Sequence, residues 1–421
     1  MAVRKSGARN IRVGVVGVGR GSSFARTCGW VGLELAALCD TWEAKLKSVA
    51  GQYGVAAYTD FDRMLEKEDL DAVILANYFH QHAPLAIKAL AAGKHVMSET
   101  MACKTPAEGV ALARAVERSG RIYLFAENYP YFAYNQEMRR LYRAGEIGVM
   151  QYGEGEYNHP VDSRGMNRLA PGLNHWRNWL PSTYYCSHGL APVMFITDTR
   201  PIRVNALSVH RFAEDREKLH VRRGDPGSVI LCRMDNGSVV RIMGLMMRGH
   251  SIWYRIHGTR GLMENLRPAG SENLLRVKHE AWDLEPGGVR ERIYLPEFPD
   301  YARAAARTGH GGGDFFMDYH FAEAIRTGRA PYFDVYRGLD MALVGIQAWR
   351  SALADGTPFE VPDFRKEAAR RRYAEDHFSP WPEDAGPGQP PPSIKGFPKP
   401  DPKAAAFARK VWREDCGYTG R

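Results

Sequence analysis

Short apolar runs alternate with amphipathic stretches over residues 11–125. The apolar runs predict strands at 11–17, 33–40, 70–77, 94–99 and 121–128. The amphipathic stretches predict helices between them, at 42–53, 83–92 and 105–118. The last helix has a start signal, because Thr105 is followed by Pro106 and then by Glu108. Strands that alternate with helices predict a parallel, doubly wound sheet.

The pattern changes after about residue 130. It predicts a helix at 132–143, a strand at 149–157, a Gly/Asn/Pro-rich loop at 158–183 and a helix at about 187–197. Five β-rich segments separated by turns follow, at 202–210, 227–234, 238–245, 252–258 and 261–266. Two helices come last, at about 313–327 and 336–354. We therefore predict an α/β protein whose second domain is itself α/β, with an open, mainly antiparallel sheet.

This organisation divides the chain into three parts. We predict a nucleotide-binding domain at 1–130, a substrate and oligomerisation domain at 131–362, and a C-terminal extension at 363–421. We expect the helices near 313–354 to pack back on the first domain. Residues 379–403 are rich in Pro and Gly, which predicts an irregular segment lying on the surface or on a partner.

The composition is that of an ordinary globular protein, with 44% hydrophobic and 25% charged residues. The net charge is +9, but no recognised nucleic-acid motif accompanies it. No apolar run is long enough to predict a membrane span, and Met1–Asn10 lacks the apolar stretch of a secretory signal. The six cysteines form no CxxC pair, and no Cys/His cluster predicts a metal. We therefore expect a cytoplasmic protein with no nucleic-acid partner, no membrane partner and no metal.

A glycine-rich loop follows the first strand and opens a helix. Its candidate cofactor-binding residues are Gly17, Gly19, Arg20, Gly21 and Ser22. Glycine is needed where the chain turns tightly and where the backbone meets a pyrophosphate. Asp40 ends the second strand, where a carboxylate binds ribose hydroxyls, and no Arg follows it directly, which favours NAD over NADP. A glycine-rich turn with no ligand is the alternative interpretation.

Further motifs give the chain a family resemblance. Asn77–His82 follow the third long strand, and Gly93–Val96 lead to Ser98–Met101. Over about residues 10–362 the chain resembles the Gfo/Idh/MocA oxidoreductases, which have a Rossmann domain followed by an open-sheet domain. The family's dehydrogenases usually carry Glu-Lys-Pro where this chain has Glu99-Thr100-Met101. Thr100 cannot replace a cationic acid/base, so a simple sugar dehydrogenase is less favoured. Four further residues are expected to bind the cofactor: Asn77, His82, Glu99 and Asn128.

A closer resemblance is to the NAD-dependent glycosidases of glycoside hydrolase family 109, which also lack that lysine. The shared motifs are, in order, Glu127-Asn128-Tyr129, Gly153–His159, Trp176-Arg177, Tyr185–Pro192 and His310–Phe315. The resemblance implies oxidation of the sugar at C3, elimination across C1–C2, addition of water and re-reduction, with tightly bound NAD recycled. Asn158-His159-Pro160 replaces the family's usual His-Asp, so the identity of the sugar is the least transferable property.

Four residues are the candidates for catalysis. His188 is the first choice for proton transfer, and Tyr157 is the candidate base for the C2 proton, which would require a lowered pKa. Glu127 could orient the nicotinamide or bind sugar hydroxyls, and Tyr185 is a second candidate base or sugar ligand. The structural alternatives are capping or core packing. The candidate substrate-binding residues are His159, Trp176, Arg177 and His310.

These residues predict an NAD-dependent glycoside hydrolase that acts on a hexoside or N-acetylhexosaminide. An NAD-dependent sugar or cyclitol dehydrogenase is the alternative, and it differs by accumulating NADH. A non-catalytic NAD-binding regulator is less favoured, because a reactive set of side chains is present. Members of the superfamily commonly associate through the face of the open sheet, so we expect a homodimer or homotetramer.

Overall fold

The computed structural model describes residues 9–420. Residues 1–8 lie outside the described residues. The prediction that residues 1–10 are not a secretory signal therefore falls mostly outside them. Within 9–420, no helix is long and apolar enough to cross a membrane.

The first domain is built on a six-stranded parallel sheet of order β3-β2-β1-β4-β5-β6. Its strands are β1 (Ile11–Val16), β2 (Leu33–Cys39), β3 (Ala56–Tyr58), β4 (Ala72–Leu75), β5 (His95–Glu99) and β6 (Tyr123–Ala126). Its helices are α1 (Gly21–Thr27), α2 (Glu43–Tyr53), α3 (Phe61–Lys67), α4 (His82–Ala91) and α5 (Pro106–Ser119). This strand order is that of a Rossmann fold. The predicted start of α5 is confirmed, since the Thr105 hydroxyl accepts a hydrogen bond from the Glu108 N–H at 3.2 Å.

The second domain is built on a nine-stranded sheet of order β14-β13-β12-β11-β7-β10-β9-β8-β15. Its strands are β7 (Met150–Asn158), β8 (Pro201–Val209), β9 (Gly227–Met234), β10 (Val239–Leu245), β11 (Ser251–Gly258), β12 (Leu262–Asn265), β13 (Leu275–Lys278), β14 (Glu291–Tyr294) and β15 (Phe359–Glu360). Within 9–420, β7 and β10 pair in parallel and the other neighbours are antiparallel. The predicted fold class is thus confirmed.

The remaining helices surround these two sheets. They are α6 (Ala133–Arg143), α7 (Ser163–Leu169), α8 (Trp176–Trp179), α9 (Ser187–Thr197), α10 (Gly313–Thr327), α11 (Val335–Leu353), α12 (Glu367–Tyr373) and α13 (Pro402–Cys416). The short strands β3, β13, β14 and β15 were missed, as were α3, α7, α8 and α13. The missed strands have two to four residues each, too few for a periodicity to be recognised.

Two glycines let α9 lie directly on the large sheet. A Cβ atom built on Gly155 of β7 would stand 1.9 Å from the carbonyl oxygen of Gly189 in α9. A larger residue at either position would separate helix and sheet. The Tyr254 hydroxyl, on β11, donates a hydrogen bond to the carbonyl oxygen of His188 at 2.7 Å. The start of α9 is therefore fixed against the sheet.

Helices α10 and α11 connect the two domains. α10 packs against α1, and the buried Thr27 hydroxyl donates to the Asp318 carboxylate at 2.6 Å. α11 packs against α5 and β6 on one side and against β8 on the other. The opposite face of the large sheet carries ion pairs such as Arg241–Glu154 at 2.7 Å and Arg241–Glu156 at 2.9 Å. Association of two or four chains through this face stays a prediction.

The C-terminal extension covers the outside of the loop between β7 and α9. Trp412 of α13 is 1% exposed and packs with Val221 and Ala408. Its indole N–H donates to the main-chain oxygen of Asn167 at 3.0 Å. The guanidinium of Arg164 pairs with the Asp415 carboxylate at 2.5 Å. The extension therefore secures α7 and the loop that carries it.

We predict that Trp412→Ala destabilises the folded protein by about 3–5 kcal/mol, because it leaves a large cavity and removes the indole hydrogen bond to Asn167. Thermal and denaturant unfolding measure this change. Trp282→Ala is the matched control, since Trp282 is 81% exposed and its loss should leave the transition in place. Equal stability of the two variants would show that α13 does not secure the loop.

Candidate active site

A cavity of about 280 Å³ lies where the carboxyl ends of the parallel strands face α9 and the loop before it. Many residues predicted from separate motifs meet in its lining: Arg20, Asn77, His82, Glu99, Asn128, Tyr157, His159, Trp176, Arg177, Tyr185, His188 and His310. Other predicted residues lie outside this lining: Gly17, Gly19, Gly21, Ser22, Asp40 and Glu127. The first five of these follow β1 and β2, and Glu127 follows β6.

The glycine-rich loop has the shape that a dinucleotide needs. Gly17 has a φ of 92°, and a Cβ atom on it would stand 2.6 Å from the carbonyl oxygen of Ala76. A Cβ atom on Gly19 would meet no protein atom within 4 Å, so the backbone there faces open space. The Gly21 N–H donates to Gly17, and the Ser22 hydroxyl donates to the Val18 carbonyl at 2.6 Å. The loop is thus fixed by its own bonds while Gly19 stays accessible to a pyrophosphate.

Asp40 is held at the end of β2 by two main-chain amides. Its Oδ2 accepts from the Val18 N–H at 2.8 Å, and its Oδ1 accepts from the Trp42 N–H at 2.8 Å. A carboxylate has about four acceptor positions, so further ones are left for ribose hydroxyls.

Two amide side chains present acceptors that have no partner within residues 9–420. The Oδ1 atoms of Asn77 and Asn128 are buried and accept no hydrogen bond there. A buried acceptor left unpaired is unfavourable by about 1–3 kcal/mol. Both residues line the cavity, so these oxygens suit a ligand with N–H or O–H donors, such as the carboxamide of NAD.

Arg20 is held between two carboxylates rather than left free for a phosphate. Its guanidinium donates to Glu99 Oε1 at 2.7 Å and to both oxygens of Asp314, at 3.1 and 2.7 Å. Although burial acts in the opposite direction, hydrogen bonds from His310 and Arg20 hold the pKa of Asp314 well below its ordinary value. These contacts tie α1, β5 and α10 together at the edge of the cavity.

His82 is buried, and both of its ring nitrogens contact carbonyl oxygens. Nδ1 lies 3.0 Å from the main-chain oxygen of Met101, and Nε2 lies 3.3 Å from the main-chain oxygen of Asn77. Burial lowers the pKa of the imidazole, which favours the neutral ring. A neutral ring carries one N–H, so His82 donates a hydrogen bond to one of these two carbonyl oxygens and lies in the cavity lining.

The central contact of the site joins Glu127 and His188. Nδ1 of His188 lies 2.7 Å from Oε1 of Glu127, and the Glu127 side chain is 0% exposed. The Glu127 carboxylate also accepts from the Tyr129 N–H at 3.3 Å. Since an ionised carboxylate only accepts, Nδ1 donates the hydrogen bond, and Nε2 of a neutral ring carries the lone pair. Glu127 thus stands behind His188 and does not line the cavity.

Three tyrosine rings surround the His188 imidazole. The ring centres of Tyr129, Tyr157 and Tyr185 lie 4.3, 4.6 and 4.9 Å from the imidazole centre. Burial raises the pKa of Tyr157 above its ordinary value, and Tyr185 adds to this rise, whereas Arg177 and a hydrogen bond from Tyr129 act against it. This direction is opposite to the one that the predicted role of Tyr157 as a base requires. In this environment Tyr157 keeps its proton and can donate a hydrogen bond.

The predicted substrate-binding residues come from two loops. The Arg177 guanidinium stands 4.2 Å above the Trp176 ring centre and 5.7 Å from that of Tyr185. His159 is exposed, and burial of part of its ring together with the nearby His250 lowers its pKa. His310 Nδ1 lies 3.0 Å from the Asp314 carboxylate, and this contact holds the ring in the cavity lining.

Some cavity residues were not predicted from the sequence. They are Val161, Met166, Leu169, Leu180, Arg222, Leu245 and Met246, together with Ala76, Thr100 and Tyr129. Arg222 lies in an irregular segment between β8 and β9 and belongs to no motif. Its isolated charge gives no local signal, because only the fold brings it to the cavity.

Comparison with known proteins agrees with this architecture. Residues 11–127 match the oxidoreductase family with an NAD-binding Rossmann fold, and residues 133–370 match the glycosyl hydrolase 109 C-terminal domain. The glycosyl hydrolase family 109 protein 1 of Shewanella sp. (strain ANA-3) is 27% identical over 400 residues, which cover 85% of this chain and 86% of the relative. These matches confirm both predicted resemblances.

Two solved structures share the fold. Levoglucosan dehydrogenase in complex with NADH and levoglucosan is 19% identical with a TM-score of 0.69, over 84% of this chain and 100% of that one. An inositol dehydrogenase homolog from Azotobacter vinelandii, complexed with NAD+, is 19% identical with a TM-score of 0.68, over 85% of this chain and 98% of that one.

We predict that Gly19→Ala weakens NAD binding by at least about tenfold, since the added methyl group would occupy the space through which the pyrophosphate approaches the backbone. The melting temperature without ligand should stay unchanged, because the methyl group meets no protein atom. Energy transfer from tryptophan to NADH measures the affinity. Gly51→Ala in α2 is the control, as its Cβ atom also meets open space. Equal NADH affinity in both variants would remove Gly19 from the cofactor site.

Proposed function

Since the chain belongs to glycosyl hydrolase family 109, we propose that it is an NAD-dependent glycosidase that cleaves a hexoside or N-acetylhexosaminide. The proposed route is oxidation of the sugar at C3, elimination across C1–C2, addition of water and re-reduction, with no net redox change. The observation that carries this proposal is the Glu127–His188 pair facing a cavity in which Thr100 replaces the dehydrogenase lysine. The site thus keeps a proton-transfer group without that cationic residue.

NAD, when bound, supplies a hydride acceptor for the sugar and returns the hydride at the end. The open backbone at Gly19 and the carboxylate of Asp40 would hold its pyrophosphate and ribose. The unpartnered oxygens of Asn77 and Asn128 would accept hydrogen bonds from its amide or hydroxyl groups. Tight binding and recycling of the cofactor are part of this proposal.

His188 moves the proton of the sugar's C3 hydroxyl. Its Nε2 is free of hydrogen bonds within residues 9–420, and its Nδ1–H is oriented by Glu127. When Nε2 takes the proton, the Glu127 carboxylate stabilises the resulting imidazolium. Glu127 therefore acts as a positioning residue that does not touch the sugar.

Two of the three tyrosines beside His188, Tyr157 and Tyr185, assist the steps at C1 and C2. Tyr157, which keeps its proton, donates a hydrogen bond to the oxygen that leaves C1. Tyr185 lies 5.9 Å from Tyr157 between ring centres and is the candidate group for the C2 proton. Arg177, 5.7 Å from the Tyr185 ring centre, can stabilise negative charge that develops there.

Proton NMR in D₂O tests the proposed route. The full chain is incubated with a panel of hexosides and N-acetylhexosaminides, and absorbance of reduced nicotinamide is followed in the same samples. We expect sugar release with deuterium at C2 and no accumulation of NADH. Accumulation of NADH with an oxidised, uncleaved sugar would instead establish a dehydrogenase.

We predict that His188→Ala abolishes sugar release while NAD stays bound, because the proton acceptor at C3 is lost. A normal rate of sugar release in His188→Ala would show that His188 does not accept the C3 hydroxyl proton.

Glu127→Gln should lower kcat by about 100-fold or more with little change in KM. Glu127→Asp should recover part of the rate.

A further inference from the structure

One buried arginine lacks the partner that the others have. Within the described residues, three arginines are less than one-tenth exposed. Two of them pair with carboxylates, Arg139 with Asp198 at 3.0 Å and Arg370 with Glu117. Arg222 is 8% exposed and has no carboxylate at ion-pair distance in residues 9–420. Its Nε atom is buried without a hydrogen-bond partner there.

Arg222 is fixed by main-chain oxygens instead. Its guanidinium donates to the carbonyls of Arg177 at 3.2 Å, Leu180 at 3.3 Å and Asp225 at 3.4 Å. The Asp225 carboxylate is engaged elsewhere, since it accepts from the hydroxyls of Ser208 at 2.9 Å and Ser393 at 2.6 Å. The charge of Arg222 is therefore held in place but not neutralised.

A second uncompensated cation stands in the same cavity. Arg177 stacks on Trp176 and has no carboxylate partner within residues 9–420. Among the described residues, Glu99 supplies the one carboxylate of the cavity lining, and it is bonded to Arg20. The part of the cavity away from the Rossmann domain is therefore cationic.

We propose that the glycoside cleaved here carries an anionic group, a carboxylate or a sulfate ester, which binds to Arg222 and Arg177. This inference rests on the proposed function in taking a glycoside as the ligand. Two arginines at one wall suit a planar or tetrahedral oxyanion, because each guanidinium offers paired N–H donors.

The energetics favour an anion over a neutral hydroxyl. A buried charge with no carboxylate at ion-pair distance is destabilising. Burial together with repulsion from Arg211 and Arg177 lowers the pKa of Arg222, and the nearby Asp225 carboxylate offsets only part of this effect. A guanidinium nevertheless stays protonated at neutral pH. An anionic ligand would relieve this repulsion, whereas a hydroxyl would not.

The C-terminal extension makes the arginine a rigid element of the site. Val221, next to Arg222, is 1% exposed and packs against Trp412 of α13. On the other side, the Ser393 hydroxyl and the Ile394 N–H bond to Asp225 at 2.6 and 3.0 Å. A preorganised guanidinium loses little freedom when the anion binds.

Ligand binding and turnover test this proposal separately. Thermal shift and calorimetry of the full chain with NAD use free glucuronate, galacturonate, 6-sulfo-N-acetylhexosamines and the matching neutral sugars. We expect at least about tenfold tighter binding of one anionic class than of its neutral counterpart. Kinetics with nitrophenyl glycosides of the same sugars should show the same order in kcat/KM. The class of anionic sugar that binds more tightly shows whether the site takes a carboxylate or a sulfate ester.

The variants locate the effect. Arg222→Gln should lose about 100-fold in affinity for the anionic sugar and change that for the neutral sugar less than threefold, and Arg222→Lys should recover part of the loss. Arg223→Gln is the matched control: Arg223 stacks on Trp179 at 3.7 Å and does not line the cavity. If Arg222→Gln fails to fold, the affinities of Arg177→Gln and of the wild-type protein for anionic and neutral sugars still test the proposal.

The outcomes separate this proposal from the proposed function. Arg222-dependent binding of an anionic sugar without cleavage would support the anion site and count against the glycosidase. Cleavage of neutral glycosides, with anionic sugars bound no better than neutral ones, would overturn the anion site and leave the glycosidase standing.

Discussion

The hydrogen bond between Glu127 and His188 is the interaction on which the arrangement of the site depends. It joins the end of the last Rossmann strand to the start of α9, and its two residues belong to different domains. At 2.7 Å it is a direct contact between the two domains at the cavity. The cavity exists in this form because the carboxylate fixes both the position and the tautomer of the imidazole.

Burial makes that bond sensitive to its surroundings. Glu127 is fully buried, and its Oε2 atom has no hydrogen-bond partner within residues 9–420. An ionised carboxylate in such a place is stable only when its donors are well aligned. The close approach of Gly155 and Gly189 supplies this alignment by setting the height of α9 above the sheet. A packing constraint between two backbones thus controls the geometry of a proton-transfer group.

The sequence allowed prediction of features that are encoded locally. The strand–glycine–helix pattern around Gly17 predicted the Rossmann domain, and the start of α5 was recognisable because capping depends on residues three positions apart. Many of the predicted site residues, His188 and Tyr157 included, do line one cavity. Their roles were less predictable: the place of Glu127 behind His188 and the raised pKa of Tyr157 depend on burial and on neighbours distant in the sequence. Arg222 was missed for the same reason.

The same reasoning explains why substrate specificity is the property least transferable from relatives. The glycosyl hydrolase 109 match ends at residue 370, yet the wall that carries Arg222 is secured by residues beyond it. Trp412 packs on Val221, and Ser393 holds Asp225. Two anchors on either side of one guanidinium come from a segment outside the family match. A relative with a different C-terminal segment would lack these anchors, so the charge at this end of its cavity cannot be inferred from the shared motifs around His188.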